Sequence, residues 1–168
     1  MELLTQNSKM KKSSKNVTIL FNWTIPAYKG LDGTITCPNA LNCIKGCYAR
    51  QGTYNFSNVK SAHNKKLALT KSTEFVPLMV KAIEIKLKTN SNILIRIHDA
   101  GDMYSLEYLL KWIKIIRTFN NRPEIKFYTY TKQVELFKFI EGGIPDALTV
   151  IYSIGGKQDH LIDLNKDR

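Results

Sequence analysis

The stretch N-I-L-I-R-I-H, Asn92 to His98, runs into D-A-G-D, Asp99 to Asp102, and then into S-L-E-Y-L-L-K-W-I-K-I-I-R-T-F, Ser105 to Phe119. A near-continuous apolar run of this length suits a buried parallel strand. Asp99 to Asp102 then reads as a tight turn. Ser105 is placed to cap a helix over Leu106 to Phe119, with Glu107 in its first turn. Leu109, Leu110, Trp112, Ile113, Ile116 and Phe119 give that helix a wide apolar face. Strand, turn and amphipathic helix together make a βα unit.

The same unit recurs on either side. V-T-I-L-F-N-W, Val17 to Trp23, is β-branched and aromatic and reads as the first strand. A long loop punctuated by Pro26, Gly30, Gly33 and Pro38 follows it. Two helices are expected next, over Val59 to Thr70 and Thr73 to Leu87. The first carries Ala62, Leu67 and Leu69. The second, capped by Ser72 or Thr73, carries Phe75, Val76, Met79, Val80, Ile83 and Leu87 at helical spacing. Ile125 to Tyr130 reads as a third strand, Gln133 to Glu141 as a short helix, and Leu148 to Ile154 as a fourth strand. Alternating strands and helices imply an α/β fold. Its mostly parallel sheet has four strands or more, as an open sheet or a truncated (β/α)-barrel-like one, with a Cys-rich loop after the first strand.

Length and composition fit one domain. The chain has 168 residues, of which 1–15 read as a flexible basic tail and 16–168 as a single α/β domain. No apolar run approaches a membrane span, and the N-terminus has no signal-peptide core. These features exclude a membrane-spanning helix and point to the cytoplasm, where thiols stay reduced. The net charge of +11 suggests a polyanionic partner such as nucleic acid or a nucleotide, although lysines spread as a solvated face give the same number.

All three cysteines, Cys37, Cys43 and Cys47, lie in T-C-P-N-A-L-N-C-I-K-G-C-Y-A-R, Thr36 to Arg50, spaced C-x5-C-x3-C. Clustered thiols in a reduced compartment point to metal or redox chemistry. Three thiolates suit a [4Fe–4S] cluster with one iron left open, the chemistry that binds S-adenosylmethionine through its amino and carboxylate groups. Zinc is the alternative, completed by His63 or His98, although zinc ribbons favour C-x2-C pairs. A loop without metal is the third reading.

In a parallel sheet, ligands bind at the carboxyl ends of the strands. The loops there carry His98, Asp99, Gly101 and Asp102, then Tyr130 and Lys132, then Ser153, Gly155 and Gly156. His98 and Asp99 read as a ligand or proton-transfer pair, or His98 as a hydrogen-bonded strand histidine. Gly101 lets a ligand approach the backbone, and Asp102 accepts from an amine or a ribose hydroxyl, or else from backbone amides at the helix start. Lys132 suits a carboxylate or phosphate, or lies on the surface. Tyr128 and Tyr130 share one strand face, so one is placed to reach the ligand end. Gly155 and Gly156 suit a phosphate or cofactor cradle. His98, Asp99 and Lys132 are the candidates for catalysis. Arg96, alternating with apolar residues, requires a charged partner.

The ordered set T-C-P-N-A-L-N-C-I-K-G-C-Y-A-R, R-I-H-D-A-G-D-M-Y-S, F-Y-T-Y-T-K and Y-S-I-G-G-K-Q-D-H resembles the phage gene product 88 family, over Cys37 to His160. That resemblance implies a phage or mobile-element context rather than a defined activity. More distantly, the chain is similar to radical S-adenosylmethionine enzymes. These place a three-cysteine loop after the first strand of a partial (β/α) barrel and a Gly-Gly-Glu-like segment after the second. Ala100–Asp102 stands at that second place. This similarity implies that Cys37, Cys43 and Cys47 hold the cluster and that Asp102 meets the cofactor's amine. It also implies that Lys132 or Ser153 meets the carboxylate or ribose. The departures are the cysteine spacing, Tyr48 standing after the last cysteine rather than an aromatic before it, and the small number of strands. A metal-stabilised nucleic-acid-binding or host-interfering module without catalysis is the alternative function.

Overall fold

The computed structural model describes residues 1–6, 11 and 18–167. Its sheet has four parallel strands in the order β1-β2-β3-β4: β1 Thr18–Trp23, β2 Asn92–Ile97, β3 Ile125–Thr131 and β4 Leu148–Tyr152. Among the described residues, four α-helices of five residues or more connect or flank them: α1 Ser57–Lys71, α2 Phe75–Thr89, α3 Leu106–Arg117 and α4 Val134–Lys138. The elements lie within a few residues of their expected positions. Val17, expected to begin β1, lies outside the described residues.

The core occupies one face of the sheet. Phe21 and Trp23 of β1, Ile93, Ile95 and Ile97 of β2, and Ile125 and Phe127 of β3 are buried with Phe75, Met79, Leu109, Trp112 and Ile113 of the helices. The Phe75 ring lies 5.3 Å from that of Trp23 and 5.5 Å from that of Trp112. Strict alternation in β2 and β3 sends the intervening residues to the opposite face, where they are only half-buried or exposed.

Three local readings are corrected. Leu110, expected in the α3 core face, is 47% exposed, and Tyr108 and Ile115 are buried instead. The helix turns Leu110 outward because it stands between the rows that meet the sheet. α2 begins after Glu74, and the Ser72 hydroxyl accepts the Glu74 N–H at 3.0 Å instead of capping inside the helix. Residues 1–6 of the expected tail pack on the domain. Leu4 is buried, Thr5 exchanges two backbone hydrogen bonds with Asn22, and Lys66 Nζ donates to the Leu3 carbonyl at 2.8 Å. The apolar pair Leu3–Leu4 anchors this segment. The rest of 1–15, apart from residue 11, lies outside the described residues.

Candidate functional site

The segment between β1 and α1 carries Cys37, Cys43 and Cys47, all free thiols. It is held from both sides. Thr36 donates its N–H to the Tyr28 carbonyl and its hydroxyl to the Pro26 carbonyl, and its own carbonyl accepts the Asp102 N–H at 2.9 Å. On the far side Ala40 bridges to Gly156. Asn39 Nδ2 donates to Gln133 Oε1 at 2.7 Å, and Lys157 Nζ donates to the Pro38 carbonyl at 2.8 Å. The loops after all four strands are thereby fastened together, as expected for the carboxyl edge of a parallel sheet.

Between them lies a cavity of about 330 Å³. Its lining includes Cys37, Cys43 and Cys47 with Arg96, His98, Asp99, Gly101, Asp102, Tyr130, Lys132 and Ser153. Gly155 and Gly156 are absent from it. A larger cavity of about 510 Å³, beside Met1–Leu4 and α2, is mainly aliphatic and contains no thiol or histidine.

Asp102 is the buried hinge of the site. Its carboxylate accepts from the Met103 amide at 2.7 Å, the Thr131 hydroxyl at 2.7 Å and the Lys132 amide at 3.0 Å. Burial nevertheless pushes this carboxyl above its ordinary range, against the pull of those donors. Burial, and then the Asp102 charge, push the Cys37 thiol up to about 12, while the Tyr28 amide donates to Cys37 Sγ. The donors explain why an aspartate stands here without a charged partner: they satisfy it as a start-of-helix residue would be satisfied. They also knit β2 to β3.

Two of the four buried side-chain atoms without a partner among the described residues belong to residues that line this cavity, His98 and Arg96. His98 is 3% exposed and lines the cavity. The Tyr108 hydroxyl accepts from Trp23 Nε1 at 2.8 Å and pairs with His98 Nε2 at 3.0 Å. Burial, and then the Arg96 cation, hold His98 down at about 3, so the ring is neutral. Its Nδ1 has no partner among the described residues, nor does Arg96 Nε. Arg96 finds the expected acid in Asp99 at 2.9 Å. Asp99 is further held by two tyrosines: Tyr48 donates to its carbonyl, and Tyr54 to its carboxylate at 2.5 Å. Tyr54 escaped the sequence reading because its partner is 45 residues away; only the clustering of tyrosines after Cys47 hinted at it.

Other expectations are redirected. Gly101 has a φ of +81°, and a Cβ there would lie 2.3 Å from Ile25 Cγ1. The missing side chain makes room for the β1 loop at Ile25. Gly155 and Gly156 donate their amides to Asp159 Oδ2 at 2.7 Å and Oδ1 at 2.9 Å, so the chain's own carboxylate already fills that cradle. Lys132 Nζ donates to the carbonyls of Ser153 and Ile154 at 3.0 and 2.7 Å, tying β3 to the β4 loop. His63 lines other cavities beside Tyr54 and does not join the cysteines.

Among the described residues, no three His, Cys, Asp or Glu side chains meet closely enough to hold one metal ion. Cys37, Cys43 and Cys47 nevertheless line one cavity, and thiolates are the donors that a zinc ion or an iron–sulfur cluster would take.

No helix of the described residues is long and apolar enough to cross a membrane. No curated protein and no solved structure matches the chain. The family model Gene product 88 matches residues 1–168. The chain therefore belongs to the phage Gene product 88 family.

Proposed function

We propose that this protein is an iron–sulfur protein of radical S-adenosylmethionine type, built on a truncated (β/α)-barrel-like sheet and acting in the cytoplasm of the phage host. The observation that carries the reading is a single cavity at the carboxyl ends of the strands. It is lined by all three cysteines, by the residues of the A-G-D turn and by Lys132 and Ser153. Consecutive parallel strand order with the core on one face supports the barrel-like reading.

Cys37, Cys43 and Cys47 are the cluster ligands in this reading. A [4Fe–4S] cluster held by these three thiolates would leave one iron open to bind S-adenosylmethionine and would supply the electron for its chemistry. Asp102 presents a carboxylate to the cofactor's amine while Thr131 and two amides fix its direction. Lys132, anchored on two carbonyls, keeps a third N–H for the cofactor's carboxylate, and Ser153 stands beside it. Tyr48 and Tyr54 clamp Asp99 and thereby hold Arg96 at the rim.

The test is anaerobic reconstitution with iron and sulfide, followed by metal analysis and visible absorption spectroscopy. The expected result is about four irons per chain and a broad iron–sulfur band, both lost in Cys37→Ser, Cys43→Ser and Cys47→Ser. Protein that retains no iron, or that retains zinc with equal affinity in all three variants, contradicts the reading.

A further inference from the structure

On the sheet face opposite the core, Lys126, Tyr130 and Thr149 are exposed, Leu94, Arg96 and Tyr128 are half-buried, and Asn22 is buried under the N-terminal segment. The strand registers place Asn22, Arg96, Tyr128 and Thr149 in one row across all four strands. The next position outward puts Tyr130 beside Ile151, and the next inward puts Leu94 beside Lys126. Lys126 is exposed and enters no ion pair among the described residues, and Tyr130 is 46% exposed. The rings of Tyr128 and Tyr130 meet edge to face at 6.0 Å, and the Arg96 guanidinium lies 5.6 Å over the Tyr130 ring.

We infer that this face is a stacking platform for single-stranded nucleic acid that feeds the cysteine-lined cavity. It rests on the proposed function only in naming the substrate class of that cavity. Three observations select the occupant. The strands of this face carry Lys126 unpaired, Arg96 paired with Asp99 at the rim, and no acidic side chain, on a chain of net charge +11, so a polyanion is favoured over a second copy of the same face. The exposed Tyr130 ring, backed by Arg96 and edged by the half-buried Tyr128, offers a base what it needs for sequence-tolerant stacking. A sheet about 15 Å wide with its aromatics on a flat face reaches bases only when they are unstacked and unpaired, which excludes a duplex as the fitting partner. Arg96 and Tyr130 belong to both the face and the cavity lining, so a strand lying across the sheet delivers a nucleotide to the cavity mouth.

The experiment is fluorescence anisotropy of the full chain with fluorescein-labelled oligothymidylate and oligouridylate, alongside a hairpin duplex, over a salt series. Each is measured on metal-free and on iron-loaded protein. The expected result is binding to single strands that weakens with salt and is weaker for the duplex. Tyr130→Ala should lose about tenfold in affinity, Tyr130→Phe should retain it, and Lys126→Glu should lower the salt slope by about 1. Tighter binding of oligouridylate assigns RNA; tighter binding of oligothymidylate assigns DNA. Either supports the platform. Absent binding at low salt, equal affinity for the duplex, or equal affinity of the Ala and Phe variants overturns it. So does a dimer by light scattering that Tyr130→Ala dissolves. Failure of iron loading with binding intact counts against the cluster alone. Loading without binding counts against the platform alone.

Discussion

Asp102 Oδ1 accepts a hydrogen bond from the Thr131 hydroxyl at 2.7 Å, joining the turn after β2 to the last residue of β3. The same hydroxyl oxygen accepts the Gln133 N–H at 2.9 Å. Thr131→Val keeps the shape and removes both bonds, leaving a buried carboxylate and a buried amide short of partners. A loss of about 2 kcal/mol is expected in urea unfolding. Thr131→Ser keeps the hydroxyl and should cost less than about 1 kcal/mol. Equal costs for the two variants would show that methyl packing, not the hydroxyl, holds the strands together.

Gly101 and Gly46 make a matched pair. Gly101 combines a φ of +81° with a Cβ position 2.3 Å from Ile25, whereas a Cβ at Gly46 meets nothing within 4 Å. Gly101→Ala is expected to cost about 2 kcal/mol or more, from backbone strain and overpacking together. Gly46→Ala should be neutral or slightly stabilising. Thermal melts of the two variants decide this, and a tolerated Gly101→Ala would mean that the β1 loop shifts freely.

His98 gives the fold an acid-sensitive point. Its ordinary value of 6.5 is depressed to about 3 in the folded chain by burial and by Arg96. Between those values the unfolded chain takes up a proton that the folded chain does not. Stability is therefore lost as pH falls from 6.5 toward 3, by up to about 1.4 kcal/mol per pH unit. His98 also has a φ of 70°, which asparagine adopts more readily than most residues. His98→Asn should flatten this part of the pH–stability curve relative to the unaltered protein. Parallel curves for the two would mean that other groups carry the acid sensitivity.

The parallel α/β architecture was legible because β2 and α3 carry unambiguous periods, and because Ser105 accepts the Tyr108 N–H as a cap should. Gathering of the candidate residues at one edge followed from placing them after strands. What each residue does there was less legible. Gly101 looked like space for a ligand, yet Ile25, 76 positions earlier, fills that space. Gly155 and Gly156 looked like an anion cradle, and Asp159 supplies the anion from within the loop. Tyr54 reached Asp99, and Leu4 the core, through contacts that no local pattern encodes. Spacing along a chain reports periodicity; it does not report which distant side chain arrives first at a turn.

Electron paramagnetic resonance of the reconstituted, dithionite-reduced protein, recorded with and without S-adenosylmethionine, tests the open-iron cluster most directly. The expected result is a reduced-cluster signal that shifts when S-adenosylmethionine is added and that disappears in Cys37→Ser. No signal, or a signal indifferent to S-adenosylmethionine, would contradict it.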